Sequence, residues 1–357
     1  MKKSLSETAK TSRADTLSKF DVNTNGLTAN GVFGLPFTEA ESQIVLLPVP
    51  WELTVSYGGG TANGPAAIIT ASQQLDLYEP LHPFGYKVGI AMTEVPQGLA
   101  EISTEKRPIV KAYIESLSAN QPTIEVLTDI NATSQLMVDA VKARCQELLS
   151  EGKFVGLVGG DHSTPLGYMQ ALAEIHDAYS IIQIDAHADL RNAYEGFTYS
   201  HASIMYNALK IPQVSKIVQV GVRDISHEEI DCIHALEGRV NLFHDHDMKK
   251  AAFLNKSWND VTDLIINQLS DKVYISFDID GLQPWLCPNT GTPVPDGLDL
   301  EQVFFLLEKI VATGKQIIGF DLCEVSPGAE GEWDANVGAR VLYKLCMLAV
   351  RSIGTIG

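Results

Sequence analysis

Residues 181–194 read IIQIDAHADLRNAY. The apolar run Ile181-Ile182-Gln183-Ile184 has the composition of a buried strand, and it gives way at once to Asp185-Ala186-His187-Ala188-Asp189. Two carboxylates and an imidazole stand there on alternate residues. Residues i and i+2 of a strand share a face about 6.6 Å apart, so Asp185 and His187 point the same way. Asp189 would lie about 13 Å from Asp185 on an ideal strand. The chain must therefore curl after His187 to bring it back.

Working outward, similar short β-rich runs recur: IVLLPV (44–49), FVGLV (154–158), KIVQV (216–220), VNLF (240–243), VYISF (273–277) and QIIGF (316–320). Several are apolar on both faces, which suits strands of a parallel sheet covered on both sides. Helical patterns lie between them, near 65–78, 133–152, 165–176, 228–235, 258–269, 300–312 and 336–353. Strand–helix alternation of this kind predicts an α/β fold with a mainly parallel, doubly wound sheet. No repeat or composition break divides residues 43–357, which read as one domain. Residues 1–42 are polar and weakly patterned, and read as a mobile extension or an intersubunit arm.

Ligands of such sheets gather at the carboxyl ends of the strands. Here FVGLV is followed by Gly159-Gly160-Asp161-His162, VYISF by Asp278-Ile279-Asp280-Gly281, and QIIGF by Asp321-Leu322-Cys323-Glu324. Four strand ends, with Asp185–Asp189, thus offer carboxylates or histidines to one crevice. Asp185, Asp189, Asp278 and Asp280 together would be four like charges, which drive pKa values up unless cations compensate. Two divalent ions balance them, and His162 and His187 add neutral nitrogen ligands. An oxygen-rich set with two imidazoles fits Mn²⁺ better than Zn²⁺ or Mg²⁺.

The composition agrees with a globular protein: 45% of the 357 residues are apolar and 20% charged. A formal net charge of −18 argues against nucleic acid or an anionic membrane as partner. No apolar run is long enough to span a bilayer, and MKKSLSETAKTSRADTL at the amino end lacks the apolar segment of a secretory signal. Five dispersed cysteines without CxxC spacing suggest reduced thiols and a cytoplasmic setting.

Several separated stretches, in order, resemble the ureohydrolase family of arginases and agmatinases: TVSYGGGTANGPAAI (54–68), VGGDHSTPLG (158–167), IDAHADLRNAYEGFTYSHAS (184–203), SFDIDGLQP (276–284), Thr290-Gly291-Thr292-Pro293 and GFDLCEVSP (319–327). The resemblance covers residues 44–350 and implies a three-layer α/β/α arginase-like fold. It also implies two Mn²⁺ per subunit, hydrolysis of a guanidino group to urea and an amine, and a homotrimer or homohexamer. Carried over by position, one ion takes His162, Asp185, Asp189 and Asp278, and the other His187, Asp185, Asp278 and Asp280. His201 matches the family's proton-shuttling histidine and Glu324 the carboxylate that holds the guanidinium. His201, Glu324 and Asp189 are thus the catalytic candidates. Asp161 is expected to orient His162 from behind.

The small cationic substrate is less closely specified. Arginases read the substrate's α-amino and α-carboxylate groups, but Ser226 stands where they place an Asp, and Leu190-Arg191 replaces an arginase-like Ile-Asn. The HADLR…YEG…YSHAS pattern is closest to the prokaryotic agmatinase branch, so agmatine is the first expectation. Arg191 would instead favour a guanidino acid such as guanidinobutyrate or guanidinopropionate. Arginine, formiminoglutamate and free guanidine stay open. Asn192, Ser226 and Trp285 join Arg191 as pocket candidates, Trp285 because Gln283-Pro284-Trp285 departs from the family's Asp-Pro.

Two features read as decoys. His244-Asp245-His246-Asp247 reads as a solvated loop, and Cys323 as a packed thiol. Gly159-Gly160 lacks the Lys and spacing of a phosphate loop. A zinc deacylase on a related fold would need a tandem histidine pair that the chain lacks, and a non-catalytic paralogue would have no need of His201 and Glu324.

Overall fold

Alternating apolar strands force this chain into layers, because each strand must cover both of its faces. The computed structural model describes residues 5–24, 31–119, 123–329 and 331–353. Its strands are β1 (Ile44–Val49), β2 (Ile90–Met92), β3 (Phe154–Gly159), β4 (Tyr179–Ile184), β5 (Val214–Val220), β6 (Val240–Phe243), β7 (Lys272–Asp278) and β8 (Gln316–Cys323). They pair in the order β2-β1-β3-β8-β7-β4-β5-β6, and every pairing is parallel.

Side chains alternate across the sheet. Ile44, Leu46, Ile182 and Ile184 enter one core, whereas Val45, Leu47, Tyr179 and Ile181 enter the other. Helices α1 (Glu7–Lys19) and α2 (Gly64–Ser72) come first, followed by α3 (Leu99–Ser118), α4 (Ile124–Ser150), α5 (Leu166–Ala173) and α6 (Ile204–Ala208). Then come α7 (His227–Ala235), α8 (Asp245–Phe253), α9 (Trp258–Ile266), α10 (Leu300–Ala312) and α11 (Trp333–Ile353). Helices α2 and α8–α11 supply the first core, and α3–α6 supply the second. The result is the three-layer α/β/α fold that the resemblance implied, built around the parallel sheet that the alternation predicted. Fully buried leucines such as Leu342 and Leu172 each contribute about 1.5–3 kcal/mol through burial.

The expected strands lie within a few residues of the observed ones. Missing from the expectation were β2, which is only three residues long, and helices α1, α3, α6 and α8; Pro108 interrupts the helical pattern of α3. The 244–247 stretch is not a loop. His244 caps α8 by accepting from the His246 amide (3.3 Å), and Asp245 pairs with Lys249 at 2.9 Å.

Part of the stretch read as an extension belongs to the body of the protein. Val32, Phe33, Leu35 and Phe37 are buried in the first core, with Phe33 edge-on to Tyr343 at 5.0 Å. Ahead of them, Ser12 and Thr16 of α1 donate to Glu41 Oε1 at 2.6 and 2.8 Å, and Arg13 donates to the Val88 carbonyl. Four isolated apolar residues were too few to raise the local average, so composition concealed a core segment.

The order of strands places the chemistry. Strands β3, β8, β7 and β4 are neighbours, and theirs are the four ends that carry the ligand-type residues. At about 4.8 Å per strand, those ends span roughly 14 Å. Two glycines keep this rim tight: a Cβ on Gly160 would lie 1.9 Å from the Trp51 carbonyl oxygen, and one on Gly281 would lie 2.6 Å from the Asp185 amide nitrogen.

Candidate metal centre

The turn required after His187 is made by Asp189 itself, whose φ of 55° lies in the left-handed region. Its backbone carbonyl accepts from the Met205 and Tyr206 amides, which ties the turn to α6. The strained conformation brings Asp189 Oδ2 to 3.0 Å from His162 Nδ1. Asp185 Oδ2 and Asp278 Oδ2 lie 3.1 and 3.3 Å from the same nitrogen. Across the crevice, His187 Nδ1 is 3.0 Å from Asp280 Oδ2 and 3.5 Å from Asp185 Oδ1.

Two groups of ligand atoms result, His162–Asp185–Asp278 and Asp185–His187–Asp280, each with its atoms within 4.8 Å of one another. Asp185 belongs to both. Backbone amides hold the carboxylates in place: His187 N donates to Asp185 Oδ1 (2.6 Å), Ala186 N to Asp280 Oδ1 (3.0 Å) and Asp280 N to Asp278 Oδ1 (2.9 Å).

The electrostatics call for cations. Burial, with Asp185 beside it, pushes Asp189 up to about 7. Burial, then Asp280 and Asp185, raises Asp278 well above the ordinary range, and burial with Asp161 does the same to Glu324. Burial opposes charge on Asp185 too, yet its bonds to His162 and His187 hold it below the ordinary carboxylate range. Burial opposes protonation of His187, but the Asp280 and Asp185 carboxylates raise it to about 12. Such a set of proton-retaining carboxylates and cation-seeking imidazoles fits divalent ions, with one nitrogen and several oxygens per group.

Above the two groups lies a cavity of about 180 Å³, lined by His162, His187, Asp189, Asp278, Asp280, His201, Glu324 and Arg191 among others. That volume suits a small molecule; a cavity of about 150 Å³ accepts benzene. Glu324, at φ 62°, accepts from the His162 amide through Oε1 (2.9 Å). His201 is half-buried, its Nδ1 has no partner among the described residues, and Tyr194 meets its ring edge-on at 6.4 Å. Burial, reinforced by His187 and His162, lowers His201 to about 4.

Other candidates fall elsewhere. Ser226 caps α7 in a reciprocal pair with Glu229. Asn192 and Trp285 are exposed, and none of these three lines the cavity. Asp161 does not orient His162: its carboxylate accepts from Leu53 N (3.2 Å) and from Ser163 N (2.9 Å), anchoring the loop after β3. The partner of His162 Nε2 is Ser276 Oγ at 2.9 Å. Cys323 is buried with its thiol pushed well up by burial, a packed group as expected.

Sequence reading also missed Tyr194, Asp224, Glu229 and Thr292 in the cavity wall. Asp224 and Glu229 lie within three residues of Ser226, but nothing in the sequence showed which of the acids there faces inward.

An all-parallel sheet with paired carboxylate–histidine groups at contiguous strand ends defines an α/β protein with a site that could hold divalent ions. The chain belongs to the arginase family, whose model matches residues 42–348. It is 32% identical over 314 residues to the N(1)-aminopropylagmatine ureohydrolase of Thermus thermophilus, covering 87% of this chain and 92% of that one. It is 26% identical to the agmatinase of Pyrococcus horikoshii, over 87% and 93% of the two chains. In fold it is similar to the agmatine ureohydrolase of Thermoplasma volcanium, with a TM-score of 0.69 at 24% identity, covering 95% and 98%. The protein is thus a ureohydrolase-type enzyme acting on amidino C–N bonds.

Proposed function

We propose that the protein hydrolyses a guanidino group borne on a cationic amine tail, agmatine first, to urea and the polyamine, with two Mn²⁺ in the His162–Asp185–Asp278 and Asp185–His187–Asp280 groups. One observation at the cavity mouth carries the choice of tail. Arg191, the residue that could read a carboxylate, is already paired through Nε with Glu229 Oε2 at 3.3 Å. Asp224 lines the same cavity with its carboxylate unpaired among the described residues. A free carboxylate beside a neutralised arginine favours a cation.

Divalent ions held by these two groups would supply hydroxide near neutral pH and polarise the group under attack. The chain's own residues do the rest. Glu324, with Oε1 engaged by the His162 amide, has Oε2 beside Gly291 to receive the guanidinium N–H groups. Its preference for a neighbouring cation is met by the substrate. His201 lines the same cavity with its Nδ1 unpartnered among the described residues, which places an imidazole where it can pass a proton to the leaving amine nitrogen. Tyr194 packs edge-on against its ring. Among the described residues the five cysteines are free, which supports a reducing cytoplasmic setting.

Urea release by Mn²⁺-loaded protein is the test, measured on agmatine, N(1)-aminopropylagmatine, arginine and guanidinobutyrate. The expected outcome is a kcat/KM highest for the two carboxylate-free amines. Guanidinobutyrate winning would overturn the reading and return Arg191 to the role of carboxylate reader.

A further inference from the structure

Ser276 and Asp321 are buried polar residues that the chemistry above does not use. Ser276 lies on β7 two residues before Asp278, and the β7–β8 register sets it directly against Asp321. Both are wholly buried. Ser276 Oγ stands 2.9 Å from His162 Nε2 and 3.2 Å from Asp321 Oδ1, and Asp321 Oδ1 also accepts from the Phe277 amide at 3.2 Å. On the ring's opposite side, Nδ1 faces the oxygens of Asp185, Asp189 and Asp278.

We propose that Ser276 and Asp321 are positioning residues that hold the His162 ring, with its proton on Nε2, so that Nδ1 is presented to a divalent ion. The inference rests on the metal reading above. The direction of donation follows from the inventory of groups. Asp321 as a carboxylate only accepts, so Ser276 O–H donates to it and the Ser276 oxygen is left to accept from His162 Nε2–H. That assignment leaves the Nδ1 lone pair directed at the carboxylate cluster, as a ligand nitrogen requires.

Three neighbouring strands supply the parts, the loop after β3 carrying the histidine, β7 the serine and β8 the aspartate, so the sheet's hydrogen bonding sets the serine and the aspartate behind the ring. Without the serine hydroxyl, the imidazole keeps its packing but loses the bond that selects its tautomer. Among the described residues His187 has no counterpart of this arrangement: Asp280 and Asp185 both face its Nδ1, and 24% of its side chain is exposed.

The test is Mn²⁺ binding by calorimetry, with electron paramagnetic resonance to separate paired from single ions, on the full chain freed of metal by chelation. The wild type is expected to bind two ions. In Ser276→Ala one of the two should weaken by about 10–100-fold, the usual effect of removing such a partner. Ser276→Thr, which keeps the hydroxyl, should restore it. In a His162→Asn background, Ser276→Ala should change Mn²⁺ affinity no further, which a merely structural serine would not obey. Should Ser276→Ala fail to fold, Asp321→Asn carries the same expectation with a smaller loss, checked against the melting temperature of the metal-free protein.

Two tight ions in both Ser276→Ala and Asp321→Asn would overturn the relay and leave the metal reading standing. No paired ions in the wild type would overturn both.

Discussion

The two histidines of the centre have contrasting surroundings. His162 is 1% exposed and is held at both ring nitrogens, by carboxylates on one side and Ser276 on the other. His187 leaves 24% of its side chain open, and its neighbours are fixed mainly by backbone amides. One half is framework, built where strands β3, β7 and β8 converge. The other half is the more exposed part of the cavity wall, and its backbone bridges to Asp224 at the mouth. The difference indicates which residues should govern metal retention and which should govern the substrate.

The strongest way to break the contrast is to remove what the halves share. Asp185 belongs to both ligand groups, so Asp185→Asn should cost both ions. Turnover is expected to fall by roughly three orders of magnitude, which matches losing several kcal/mol of transition-state stabilisation. Metal analysis on the purified variant checks it, and two tightly bound ions with a normal rate would remove Asp185 from the centre.

Next in size is a change that leaves the framework alone. His201 lies in the same cavity, and its Nδ1 has no hydrogen-bond partner among the described residues. His201→Ala should keep two ions per chain while lowering kcat by about 10²–10⁴-fold, the usual weight of a positioned acid–base group. If kcat is unchanged, the proton must travel by another route.

A smaller effect is expected at the mouth. Asp224 is exposed, so its attraction for a cationic tail is screened by solvent and is worth roughly 0.5–1 kcal/mol. Asp224→Asn should raise KM for agmatine about two- to fivefold at constant kcat, and less at high salt. A loss independent of ionic strength would point to packing instead.

Legibility in the sequence followed the same division. Ligand residues sit where apolar runs stop, a pattern that local reading detects, and the curl at Asp189 followed from strand geometry alone. The order of the strands did not. Nothing in VYISF or QIIGF says that β7 and β8 lie between β3 and β4, and that placement is what brings Ser276 and Asp321 behind His162. Asp161, adjacent to His162 in the chain, was therefore preferred to two residues more than a hundred positions away. The pairing of Arg191 was not legible for a related reason: its partner Glu229 comes from α7, across the strand-end turn.

The mildest prediction uses one titrating group from each half. Asp189, on the His162 side, has its carboxyl raised to about 7, so between its ordinary value of 3.8 and 7 the folded chain binds more protons than the unfolded one. Stability from that group is lost as pH rises through this window. His187 is raised from 6.5 to about 12, so its contribution is complete below 6.5 and declines as pH rises beyond it. Both slopes have the same sign, so chelated protein should melt at progressively lower temperature from about pH 6 to pH 9. Mn²⁺ binds the deprotonated ligands and releases their protons, so the loaded protein should gain stability over the same range. Melting curves in chelator and in excess Mn²⁺ should therefore diverge with rising pH. Parallel curves would mean that neither half exchanges protons for metal, and the assignment of Asp189 and His187 as ligands would fall.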